Sequence, residues 1–122
     1  MKFHLQASAA NVVTGSGPGW IRVGVNEIRE NVVLLPDDVV KGWAPGGFDA
    51  LTEGDFAKLL DHRPEIVLLG TGAAQRFPHP RLLAALTAAH VGVEVMDTPA
   101  ACRTFNILVA EGRRVAAALV MA

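Results

Sequence analysis

A single cysteine, Cys102, excludes any intrachain disulfide and is in keeping with a reducing compartment. Long apolar runs are missing too. The longest clean one, Val115 to Ala122, has eight residues, against the roughly 20 that a helix needs to cross a bilayer. Met1 to Gln6 shows no extended apolar segment of the kind a secretory signal requires. The expectation is a soluble, cytoplasmic protein with no membrane insertion. Neither sign of charge is in excess: 11 basic and 12 acidic residues are scattered and leave a formal net charge of −1. With no basic face, nucleic acid and anionic membrane surfaces are not expected partners. His4, His62, His79 and His90 lack metal-ligand spacing, so no metal is expected. Asp37, Asp38 and the acidic residues from Asp49 to Asp61 fall in a loop and on a helix surface, where solvated charge is the default. No complete acid–base, nucleophile or metal set emerges, and no cofactor is expected.

What the chain does have is apolar content, 51% of 122 residues. A domain of this length buries roughly two thirds of its unfolded surface, enough for its own core. The expected organisation is one domain, residues 1–122. Its organising stretch is Ile66-Val-Leu-Leu-Gly-Thr-Gly72. Four aliphatic residues followed by glycines read as a strand buried on both faces that ends in a tight loop, the signature of the middle of a parallel sheet.

Upstream, Gly15 to Gly19 is a turn signal and Trp20 to Val25 alternates, with Ile21, Val23 and Val25 on one face. Asn26-Glu27 reads as the turn, Ile28 to Leu35 as the returning strand, and Pro36 to Asp38 as its close. Asp37 to Leu51 reads as an ordered loop. In it Trp43 and Phe48 are core anchors or, alternatively, a contact patch. Thr52 and Asp55 form a capping-box pattern that predicts a helix from Glu53 to Asp61, stopped by Pro64.

Downstream of Gly72, Ala73 to Pro78 reads as a loop. A helix follows with Pro80 in its first turn and Leu82, Leu83 and Leu86 as its apolar stripe. Val93 to Met96 is a strand, joined to the first by a parallel crossover. Thr98, as a cap, and Pro99 start a third helix that runs to about Ala110, with Ala101, Phe105, Leu108 and Val109 inward. Val115 to Met121 is a last strand whose direction the pattern leaves open.

Gly70-Thr71-Gly72 and Asp97-Thr98 both follow strand carboxyl ends, where open α/β sheets place their ligand crevices. If the strands are neighbours, the loops share one rim. Amides at Thr71 and Gly72, with the free amino end of the third helix and Arg103, then suit an anion or polar headgroup. The plainer alternative is that the glycines allow close packing and Thr98 only caps. A dinucleotide site is disfavoured, because Gln75 stands where a third glycine belongs and the helix is delayed past Pro78. Cys102 reads as a small buried thiol in preference to a nucleophile.

Leu69 to Gly72, Val93 to Thr98, Ala100 to Asn106 and Ala110 to Ala118 together resemble the Mth-type uncharacterised domain family. Its members include small bacterial and archaeal proteins, a mitochondrial assembly factor for respiratory complex I and an adipogenesis-associated protein. Phe105 stands where many members carry Tyr. The elements above predict an α/β fold, an N-terminal β-hairpin joined to a compact, largely parallel sheet with helices packed outside, and the family is similar in fold. The resemblance implies no known reaction or cofactor. It also points to Gly70, Thr71, Gly72, Asp97, Thr98, Arg103 and Asn106 as candidate ligand-binding residues. Two expectations follow: a non-catalytic binding or assembly-support protein with a protein partner, or a protein, an enzyme among the alternatives, with a small-molecule or anionic-ligand site on the rim.

Overall fold

A computed structural model describes residues 10–121, so the readings of Met1 to Gln6 and of His4 fall outside the described residues. Strands β1 (Val13–Gly17), β2 (Trp20–Val23) and β3 (Asn26–Ile28) form an antiparallel three-stranded sheet in that order. Ile21 and Val23 point inward as their spacing predicts, and Arg22 points out. The turn, however, falls at Gly24-Val25 and not at Asn26-Glu27, because Val23 pairs directly with Asn26. Gly24 takes φ 60° at the first position of this two-residue loop, a conformation that favours glycine. Val25, placed at the tip, is 90% exposed instead of buried.

The expected returning strand is in fact two. β3 ends at Ile28, and β4 (Val32–Leu35) belongs to a second sheet with all four residues buried. Four consecutive aliphatics mark a strand covered on both faces, whereas the residues before them alternate. Asn31 fixes the crossing: its Nδ2 donates to Ala44 O at 2.7 Å and its Oδ1 accepts from Met121 N at 2.8 Å. Pro36-Asp37 turns β4 into β5 (Asp38–Lys41), a strand within the stretch expected to be loop. The chain then buries Trp43, half-buries Phe48 and enters α1 (Glu53–Ala57). The capping box is present, with Thr52 Oγ1 accepting from Asp55 N at 3.1 Å and the Asp55 carboxylate accepting from Thr52 N at 2.9 Å. Past Ala57 the helix tightens to a 3-10 segment, Lys58–His62, and ends at Arg63.

β6 (Ile66–Thr71) leads through a loop and a 3-10 turn, Pro80–Leu83, into α2 (Ala84–Ala88). β7 (Gly92–Met96), α3 (Thr98–Ala110) and β8 (Val115–Val120) complete the described chain. The second sheet has the order β5-β4-β8-β6-β7. β6 runs parallel to β7 and β8, while β4 runs antiparallel to β8 and β5, so the sheet is mixed rather than largely parallel. The antiparallel half comes from the β4–β5 hairpin, and β8 joins the two halves with all six of its residues buried.

Period-two alternation divides the core into two clusters. Leu68, Ala117, Leu119, Val32 and Leu34 meet Ala101, Cys102 and Phe105 of α3 and Ile21, Val23 and Ile28 of the small sheet. Val67, Leu69, Ala116, Ala118 and Val33 meet Trp43, Phe56, Leu59 and Leu86. Phe56 and Phe105 are fully buried, and truncating either to Ala costs about 3–5 kcal/mol for such a residue. No helix among the described residues is long and apolar enough to cross a membrane.

Candidate functional site

The carboxyl end of β6 and the start of α3 are bound to each other. Thr98 N donates to Gly72 O at 2.9 Å, and Gly72 N donates back to Thr98 Oγ1 at 2.8 Å. The same hydroxyl donates to Val120 O at 2.6 Å, which ties in the end of β8. Thr98 is therefore a buried three-way junction and not the helix cap. The cap is Asp97, whose Oδ1 accepts from Ala100 N at 2.8 Å. Gly70 permits this closeness: a Cβ there would lie 2.8 Å from Leu119 Cδ2, 3.0 Å from Thr98 Oγ1 and 3.1 Å from Thr98 Cα. Gly70, Thr71, Gly72, Asp97 and Thr98 are thus brought together as their positions after adjacent strands predict. Gly72 and Thr98 bond each other, and the side chains of Thr98 and Asp97 bond out of the group to Val120 and Ala100.

Thr71 faces the loop that leaves β6. Its buried Oγ1 lies 2.6 Å from Ala74 O and 3.2 Å from Met96 O, and accepts from Arg76 N at 3.0 Å. Gln75 Nε2 donates to Val95 O at 2.9 Å. The Arg76 guanidinium sits 4.1 Å over the Phe48 ring and bonds Asp49 at 2.5 Å. Pro78 is buried, and His79 Nδ1 accepts from Arg81 N at 3.0 Å. Between these fixed points Phe77 projects into solvent, 72% exposed. The loop reading of Ala73 to Pro78 holds, but the exposed aromatic was passed over. Its signal is an aromatic between an arginine and a proline in a stretch with no helical or strand period.

Beside the rim lies a groove of about 290 Å³ between Ser16 to Gly19, Gly72-Ala73, Thr98-Pro99 and Met121. Glycine, proline, alanine and methionine dominate its lining, and no charged residue contributes. Arg103 is exposed further along α3. Asn106 is turned to the small sheet: its Oδ1 accepts from Val13 N and its Nδ2 donates to Val13 O, both at 2.8 Å. Cys102 is buried, and that burial pushes its thiol pKa up to about 11, so it is protonated at neutral pH. At the opposite end of the sheet, hydrogen bonding to Arg114 holds Asp37 and Glu65 below the usual carboxylate range.

Residues 13–120 match a family described as "Protein of unknown function (DUF498/DUF598)". Over 97 residues the chain is 43% identical to NADH dehydrogenase (ubiquinone) 1 alpha subcomplex assembly factor 3 of Mus musculus, a match that covers 78% of this chain and 52% of that protein. The chain thus spans about half the length of this relative. Among solved structures, a crystal structure of a Bordetella parapertussis protein superimposes with TM-score 0.87 at 38% identity, covering 93% of this chain and 98% of that one. A solution structure of a Bordetella pertussis protein, described as a Mth938-like domain, gives TM-score 0.71 at 32% identity over 93% of this chain and 87% of that one.

Proposed function

The chain belongs to the DUF498/DUF598 family, and we infer from that premise that it supports the assembly of a protein complex by binding a protein partner, without catalysing a reaction. The observation that carries this reading is its 43% identity to a complex I assembly factor over 97 residues. The rim supports it: the hydroxyls of Thr71 and Thr98 and the amide of Gly72 bond within the chain, in a role that a scaffold requires. By analogy with the relative's name, the partner is a subunit or subassembly of an NADH dehydrogenase.

The test is affinity capture with a crosslinker from the natural host, combined with native-gel analysis of a strain lacking the chain. Enrichment of NADH dehydrogenase subunits, with less assembled enzyme in the deletion strain, is the expected result. Normal assembly together with no enriched partner overturns the reading.

A second reading, a small-molecule site on the rim, is favoured by the groove beside Gly72 and Thr98. Its uncharged lining suits a neutral, largely apolar ligand better than an anion. Thermal-shift screening checks it, and the expected result is stabilisation by at least one such compound. No shift at millimolar concentrations removes it.

A further inference from the structure

Phe77 stands apart from the other described aromatics. Trp43, Phe56 and Phe105 are buried and Trp20 and Phe48 partly so, whereas Phe77 is 72% exposed. Nor does it sit on a slack loop. On one side of it Arg76 is held through its amide by Thr71 Oγ1 and through its guanidinium by Phe48 and Asp49. On the other side Pro78 is buried and His79 bonds the Arg81 amide. With the backbone on both sides of it held, only the ring's own torsions remain to be ordered on binding, which lowers the cost of using it as an interface anchor.

From Ile66 to Val93 the chain contains no Asp or Glu, while Arg76 and Arg81 fall within that stretch; the acidic residues brought to it from elsewhere are Asp49, on Arg76, and Glu53 and Asp55 of α1, which packs against Pro80–Leu83. Arg76 is paired with Asp49. Arg81 is exposed and makes no ion pair among the described residues. An exposed, unpaired guanidinium four residues from an exposed ring favours carboxylates around an apolar socket.

We propose that Phe77 and Arg81 form the docking point for the protein partner, an acidic segment with an apolar socket that receives the Phe77 ring. The inference rests on the assembly reading and adds to it the surface and the chemistry of the partner. Thr71 is then a positioning residue, since its buried hydroxyl sets the path of the loop that presents the ring.

The experiment places a photocrosslinking benzoylphenylalanine at position 77 of the full chain in host lysate, with the same probe at exposed Val25 as control. The expected result is a protein crosslinked from position 77 and not from position 25, through a peptide rich in Asp or Glu. With that protein purified, Phe77→Ser and Arg81→Glu each weaken binding by about tenfold or more, and Arg81→Lys retains most of it. Unchanged melting temperatures separate these losses from misfolding. Equal binding by Phe77→Ser and the parent chain overturns the docking point but leaves the assembly reading standing. Crosslinks to a second copy of the chain alone, or to a peptide without acidic residues, overturn the stated partner. Failure of the parent chain to capture any protein overturns both readings.

Discussion

The turn into α3 and the loop that leaves β6 begin one hydrogen bond apart and are built to opposite ends. At the turn, polar groups point inward. Thr98 joins the ends of β6 and β8, and Gly70 lets them close to within van der Waals contact. In the loop, polar groups hold the backbone so that an apolar side chain faces out. The difference separates two meanings of a polar residue near a strand end. A hydroxyl there can be wholly a structural bond, or it can be the frame for something its neighbours display. Thr98 is the first kind and Thr71 the second, although both are buried.

The sharpest way to test the inward half is Thr98→Val, which keeps the shape and removes the hydroxyl. It leaves Val120 O without its side-chain donor and Gly72 N without its acceptor. Each unsatisfied buried group costs about 1–3 kcal/mol, so the variant should lose about 2–4 kcal/mol in denaturant unfolding. A loss below about 1 kcal/mol means that the junction is not held by this hydroxyl. Cys102, on the inner side of the same helix, gives a comparable effect in a different readout. Its pKa of about 11 in the folded chain lies above the ordinary 9.0. A raised folded pKa contributes stability below pH 9 that is lost as pH rises toward about 11, because the unfolded thiol ionises first. At pH 8 the two-unit difference makes the thiolate about a hundredfold scarcer in the folded chain. Iodoacetamide should therefore label native Cys102 slower than the denatured chain by at least that factor. Comparable labelling rates would place the thiol in an accessible, activated setting.

The inward half was also the more legible in the sequence. Ile66 to Leu69 and Val115 to Val120 announce strands covered on both faces, and Thr52 with Asp55 announces a helix start. Local chemistry determines these features. The errors fall where partners distant in sequence decide. Within Ile28 to Leu35 the four aliphatics of Val32–Leu35 mark a strand covered on both faces, but not that it joins a different sheet, because Asn31 fixes that crossing through Ala44 and Met121, 13 and 90 residues away. The direction of β8 follows from its pairing with β4, which no local pattern encodes. Asp97 and Thr98 are both plausible caps by type, and only the approach of Gly72 and Val120 draws the Thr98 hydroxyl away from that role. The candidate residues gather as a rim because β6 and β7 are neighbours, as expected. Asn106, by contrast, is drawn to Val13 of a strand that the sequence pattern does not show.

Gly70→Ala probes the closeness of the rim itself. The added methyl meets Leu119 Cδ2 at 2.8 Å, which can move, and the Thr98 backbone at 3.1 Å, which yields less. Overpacking of this kind costs about 1–3 kcal/mol. If Thr98→Val has already loosened the junction, the two losses should fall short of additive, as expected for residues in contact. Additive losses would show that the glycine and the threonine act on separate parts of the structure.

The smallest expected effect on stability belongs to Phe77→Ser, and its smallness is what tests the outward half. A side chain 72% exposed contributes little to the core, and a surface substitution of this kind stays within about 0.5 kcal/mol. The residues that hold the loop, Thr71 and Arg76, are untouched by the change. Removing an exposed ring also lowers the apolar surface available for nonspecific association, so the variant should be at least as soluble as the parent. Thr71→Val makes the paired test: it keeps Phe77 but removes the hydroxyl that receives the Arg76 amide. If the loop is framed as described, backbone amide exchange at Arg76 accelerates in Thr71→Val and is unchanged in Phe77→Ser. Equal protection in the two variants would mean that the ring's orientation does not depend on the buried hydroxyl. The contrast between a sealed junction and a framed loop would then reduce to a difference in exposure alone.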